Sequence, residues 1–120
     1  MLKKLDFIVL HVKNLASSVN FYKHIIGLKQ IDDQSTWKAF HIGNAILGLE
    51  PWHPGTEDER PLKHGVSLCF EVDNVEKRFA ELEKKGAHCL MEPSEADFGR
   101  YAEIVDPDGY ILMIYKKRNE

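Results

Sequence analysis

Apolar and polar residues alternate along short stretches broken by glycine, proline, asparagine and aspartate, and in two places the spacing becomes helical instead. The alternating stretches read as half-buried strands, because successive side chains on a strand point to opposite faces. Leu15, Val19 and Tyr22 stand at i, i+4 and i+7, and so do Val75, Phe79 and Leu82; each set makes one apolar helix face. Asn14 and either Asp73 or Asn74 suit the N-caps, and Glu76, three residues after Asp73, suggests a capping box. Gly27 and Gly86 are placed to end the two helices.

The two helices belong to two copies of one unit. Leu10-His11-Val12-Lys13-Asn14-Leu15 returns 60 residues later as Phe70-Glu71-Val72-Asp73-Asn74-Val75, a strand running into a helix each time. Three strands are expected after each helix, over 28–31, 37–42 and 45–49 in the first copy and 88–91, 101–105 and 110–115 in the second. Gly43-Asn44 and Asp106-Pro107-Asp108-Gly109 supply the turn before each last strand. Each copy is therefore β-α-β-β-β. The expected layout is a first unit over residues 1–50, a proline- and charge-rich linker over 51–64, and a second unit over 65–120.

Composition narrows the partners. The chain has 120 residues, enough to bury a core without disulfide or metal. Its 43% hydrophobic content argues against disorder. Sixteen Lys and Arg against 19 Asp and Glu give a net charge of −3, and the charges are interspersed, which disfavours nucleic acid. No apolar run approaches the roughly 18 residues of a membrane span. Met1-Leu2-Lys3-Lys4 has the charge of a signal peptide, but Asp6 and His11 interrupt the apolar region such a peptide needs, so the cytoplasm is expected. Cys69 and Cys89 lie in strand-like stretches and read as reduced, buried thiols.

Several local stretches, in order and at their spacings, carry a resemblance: His11-Val12-Lys13-Asn14-Leu15, Phe21-Tyr22 followed by Gly27-Leu28, Phe70-Glu71-Val72-Asp73-Asn74, and Asp106-Pro107-Asp108-Gly109-Tyr110. With the tandem β-α-β-β-β pattern, the chain resembles the glyoxalase, bleomycin-resistance and extradiol-dioxygenase group, the vicinal oxygen chelate superfamily. The resemblance implies an α+β fold whose tandem units form a cup-shaped mixed sheet with helices outside, and a homodimer. It also implies where a divalent metal would bind in enzymatic members, through His, Glu or Gln on the first and last strand of each unit. Those positions fall here at Phe7, Gly48, Ser67 and Met113, and a shift of two residues at the second would bring in Glu50. Phe and Gly offer no side-chain donor, neutral Ser is weak and Met is soft, so the usual metal is not expected and no other cofactor is implied. A divalent metal held by displaced ligands is the alternative.

Strand parity then names the rest of the concave face. Val9 and His11 follow Phe7; Cys69 and Glu71 follow Ser67; Ile111 and Tyr115 flank Met113; and Trp37, Ala39 and His41 line the third strand. With Tyr101 and Glu103 this makes an apolar and aromatic lining with a few polar groups, the usual character of a small-molecule pocket. Trp37, Tyr101 and Tyr115 suit stacking of a planar or cationic ligand, or ordinary core and dimer packing. His11 reads as a pocket wall, a displaced ligand or a general base, and Glu71 with Glu50 or Glu103 as its partners or as solvated strand ends. Trp52-His53-Pro54 and His64 would sit in a loop able to cover the cup or lie at the surface. Glu81 to Lys85 read as the solvated face of the second helix, with Glu81 paired to Lys85. Two functions remain: a metal-free binder of a small molecule, similar to the bleomycin-resistance branch, and an enzyme of the glyoxalase kind, whether lyase, isomerase or dioxygenase.

Overall fold

The structure is a computed structural model that describes residues 1–51 and 66–118. The chain divides into two compact units, within residues 1–60 and 61–120. The first runs β1 (Ile8–Val12), α1 (Leu15–Asn20), a π-helical turn (Phe21–Ile25), β2 (Lys29–Gln34), β3 (Trp37–Ile42) and β4 (Ala45–Pro51). The second runs β5 (Ser67–Glu71), α2 (Val75–Lys84), β6 (His88–Ala96), β7 (Gly99–Val105) and β8 (Ile111–Lys117). The expected β-α-β-β-β order is present in both; β3 has the expected bounds and the other strands after the helices extend beyond theirs, most of all β6.

Each unit forms one open four-stranded sheet, ordered β1-β4-β3-β2 and β5-β8-β7-β6. The outer pairs β1/β4 and β5/β8 are parallel and the others antiparallel. A parallel pair requires a crossover, and in each unit the helix begins that return path. One face of each sheet is thereby covered and the other left open. Leu10, Val12, Phe40, Leu47 and Leu49 are buried on the covered face of the first sheet with Phe21 and Tyr22 from the helical segment. Leu68, Ala102, Ile104, Leu112 and Ile114 are buried in the second with Val75, Phe79 and Leu82 of α2. Full burial of such a side chain stabilises by about 1.5–3 kcal/mol, so these two clusters hold the sheets and helices together.

The caps form as the sequence implies, with one correction. Asn14 Oδ1 accepts from the Ser17 N–H at 2.9 Å and Asn74 Oδ1 from the Lys77 N–H at 3.0 Å. Because Asn74 and not Asp73 is the N-cap, Glu76 sits one position early for a capping box and pairs with Arg100 instead. Gly27 and Gly86 take φ of 90° and 101° just past the helical segments, a backbone that only glycine adopts without strain.

The first helix departs from the expected face. Leu15 and Val19 are half-buried, whereas Ser18, Phe21 and Tyr22 are buried. The reason is the wider turn after Asn20, where the Ile26 N–H reaches the Phe21 carbonyl at 2.9 Å. The widening lets two adjacent aromatic residues both face the sheet; Tyr22 packs on Phe21 with ring centroids 5.0 Å apart and on Phe40 at 6.2 Å. Glu81 pairs with Arg78, three residues away, rather than with Lys85, which caps the end of α2. Trp52, His53, Pro54 and His64, with nearly all of the expected linker, lie outside the described residues. Among the described residues no helix is long and apolar enough to cross a membrane.

Candidate functional site

Residues directly opposite one another on adjacent strands share a face, so register assembles the open face of each sheet rung by rung. In the first unit one rung is Val9, Gly48, Ala39 and Asp32, and beyond it His11 stands opposite Glu50. On the other side Ile46, His41 and Lys29 form a rung. His11 Nε2 lies 3.2 Å from Glu50 Oε1, with both side chains partly exposed. This joins two of the candidate polar residues. A half-exposed imidazole beside a carboxylate can hold or pass a proton, and the carboxylate fixes which ring nitrogen faces it.

Gly48 explains the arrangement of the aromatic residues. A glycine inside a strand marks a close approach, and here the indole of Trp37 covers it. A Cβ at position 48 would fall 2.2 Å from Trp37 Cη2 and 2.7 Å from Cζ3. The Trp37 Nε1–H donates to Asp32 Oδ2 at 3.3 Å, and Phe7 meets the indole edge-on with centroids 5.8 Å apart. Phe7 also borders an apolar recess of about 280 Å³ lined by Leu5, Ile8, Ile42 and Ile46. A second cleft, of about 540 Å³, lies on the helix side between α1 and the β2–β3 hairpin, with Lys23, His24 and Lys38 among its walls. Lys38 pairs there with Asp33 at 2.6 Å and holds that carboxyl below its ordinary value.

In the second unit the rungs read Ser67, Ile111, Val105 and His88; then Cys69, Met113, Glu103 and Met91; then Glu71, Tyr115, Tyr101 and Ser94. Ser67, Cys69, Glu71 and Met91 are exposed, and Met113, Glu103, Tyr101 and Tyr115 are half-buried. Phe98, from the turn between β6 and β7, packs on Tyr101 at 5.4 Å and on Tyr115 at 6.3 Å. Both cysteines are exposed, which corrects the expectation of buried thiols: Cys69 is on the open face and Cys89 on the edge strand β6. Partial desolvation, with Glu83 and Glu92 nearby, pushes the Cys89 thiol above its ordinary range, so it is a poor nucleophile.

The sequence reading missed Phe98 and Asp32. Phe98 had one available signal, the glycine that follows it. Gly99 takes φ of 143°, and a Cβ there would lie 2.1 Å from the Lys116 carbonyl oxygen, so β7 and β8 close up beside Phe98. Asp32 had none, since it reaches Trp37 only through the pairing of β2 with β3.

The four residues that the resemblance puts at the family's ligand positions offer poor donors for a hard or borderline divalent metal. Phe7 is a ring, Gly48 lies under Trp37, Ser67 is an exposed hydroxyl and Met113 a thioether. Gly48 and Met113 occupy equivalent places in the two sheets, opposite Val9 and Cys69. Among the described residues no three His, Cys, Asp or Glu side chains are grouped to hold a metal.

Comparison with known proteins gives a consistent picture. The family model of the Glyoxalase/Bleomycin resistance protein/Dioxygenase superfamily matches residues 4–114. Lactoylglutathione lyase of Schizosaccharomyces pombe is 30% identical across 92% of this chain, which spans only 46% of that enzyme. The phenazine antibiotic resistance protein EhpR of Enterobacter agglomerans is 28% identical over 88% of this chain and 86% of its own. Among solved structures, the antibiotic binding protein TnmS3 of Streptomyces sp. CB03234 superposes with a TM-score of 0.81 at 22% identity, over 98% and 99% of the two chains.

Proposed function

Since the chain belongs to the Glyoxalase/Bleomycin resistance protein/Dioxygenase superfamily, we propose that it is a binding member, taking up a small planar, partly apolar or cationic molecule on the open faces of its sheets without the family's usual metal. The observation that carries this reading is the Trp37 indole lying over Gly48 beside Phe7. Of the two positions that the resemblance assigns to a metal in the first unit, one is a phenyl ring and the other is covered by an indole. Phe98, Tyr101 and Tyr115 offer a second aromatic surface, with Glu71 on the rung of the two tyrosines and Glu103 on the next, which suits a ring with positive charge. EhpR and TnmS3, named for antibiotic resistance and antibiotic binding, support the same ligand class. On this reading the protein works as a cytoplasmic homodimer.

A second reading is an enzyme of the glyoxalase kind. The likeness to lactoylglutathione lyase and the His11 and Glu50 pair at 3.2 Å favour it, with His11 moving a proton or both residues holding a displaced metal. Two measurements separate the readings. Metal analysis of protein purified without chelator is expected to find no stoichiometric nickel, zinc, manganese or iron; metal that His11→Ala or Glu50→Ala removes sinks the metal-free reading. Thermal shift against flat tricyclic compounds is expected to show stabilisation that grows with concentration. No response across neutral, cationic and anionic members of such a panel overturns the binding reading.

A further inference from the structure

We infer that Phe7 and Gly48, the residues at the family's ligand positions in the first unit, serve here to seat Trp37 as a fixed stacking surface, so that Gly48 sets ligand shape through Trp37. The inference rests on the binding reading above and deepens it: the ligand part recognised is a flat ring system that one face of an indole can cover.

Three contacts fix the ring, and they come from three separate segments. Gly48 on β4 provides the floor, because a Cβ there would fall 2.2 Å from the indole. Asp32 on β2 accepts the indole N–H, and Phe7, just before β1, meets the ring edge-on. An indole tied in this way has little rotamer freedom left to lose when a ligand stacks on it. Trp37 is half-buried, so part of its surface remains available.

The second unit acts as an internal comparison. Its counterpart of Gly48 is Met113, and its counterpart of Trp37 is Tyr101, two residues before the one opposite that position on the neighbouring strand. There the position carries a side chain, and Tyr101 packs with Phe98. The same backbone pattern thus yields two aromatic arrangements. A side chain at this rung decides between them.

The test is a double-mutant cycle on the full chain. Gly48→Ala is expected to lower Tm by several degrees where Trp37 is present, and to cost nothing further in the Trp37→Ala background. In a Trp52→Phe background, which leaves Trp37 as the one tryptophan, Gly48→Ala is also expected to shift its emission and raise its quenching by acrylamide. Proflavine and phenazine-1-carboxylate, as cationic and anionic flat probes, are expected to bind at least about tenfold more weakly to Trp37→Ala and Gly48→Ala than to the parent. Additive Tm losses, or unchanged Trp37 emission, overturn the seat. If Gly48→Ala fails to fold, normal folding of the Trp37→Ala/Gly48→Ala protein supports the seat and failure of both overturns it. If neither flat probe binds the parent, the stacking role falls, while the Tm cycle still decides whether Gly48 and Trp37 depend on each other.

Discussion

At Asp106 a single carboxylate organises a turn. It is 4% exposed, and its Oδ1 accepts from the Asp108 N–H at 2.9 Å and the Tyr110 N–H at 2.8 Å. The chain closes around it, the Asp106 N–H donating to the Tyr110 carbonyl at 2.9 Å and Gly109 turning at φ of 91°. This fixes where β8 starts, and hence which β8 residues face outward. Asp106→Ala would leave two backbone donors without this acceptor at a cost of about 2 kcal/mol, whereas Asp106→Asn keeps an acceptor oxygen and is expected to cost less. Urea denaturation of the two variants checks the order, and equal losses would refute the role given to the acceptor. The turn was legible in the sequence because proline fixes its own φ and glycine alone takes a positive φ without strain, and both effects are local. For His11 the sequence offered Glu71, Glu50 and Glu103 as partners without deciding among them, because His11 and Glu50 lie 39 apart and face each other only through the register of β1 with β4.

Between elements, the same difference separates what sequence carries from what it does not. The repeat was visible because Asn14, Asn74, Gly27 and Gly86 act locally at helix ends. The bond from α2 to β7 was hidden, since Glu76 and Arg100 are 24 apart and only packing brings Arg100 Nε within 2.5 Å of the Glu76 carboxylate. Arg100 also pairs with Glu95 at 3.3 Å, so β6, β7 and α2 meet at one guanidinium. The hydrogen bond from Arg100 is the chief reason the Glu76 carboxyl lies below its ordinary 4.5. A carboxyl with a lowered folded pKa adds stability above its unfolded pKa and loses it as pH falls through the folded one. Glu76→Gln is therefore expected to lower Tm slightly at neutral pH, and the gap to the parent should close below about pH 4.5. A gap that stays constant as pH falls from neutral into the acid range would assign the effect to shape rather than charge. Asp33, also held below its ordinary value by Lys38, loses that link in acid as well, so only the difference between the two proteins isolates Glu76.

At the scale of the whole chain, one sequence pattern used twice produced two sheets with the same strand order and different open faces. The covered faces follow from apolar periodicity and could be anticipated; Phe40, Ile104 and Leu112 are all at most 1% exposed. The open faces depend on which side chain stands at each rung, so glycine at 48 and methionine at 113 give Trp37 and Tyr101 different neighbours. Periodicity carries no such information. Each unit has its own set of buried residues, so a truncation in each tests both cores. Val12→Ala in the first unit is expected to cost about 2 kcal/mol and Ile104→Val in the second about 1 kcal/mol. Val12 is fully buried and Ile104 is 1% exposed, so neither loss can be relieved by solvent filling the space left behind. Urea denaturation of each single variant against the parent checks the two values, and losses well below them would mean that these side chains are packed less tightly than their burial implies.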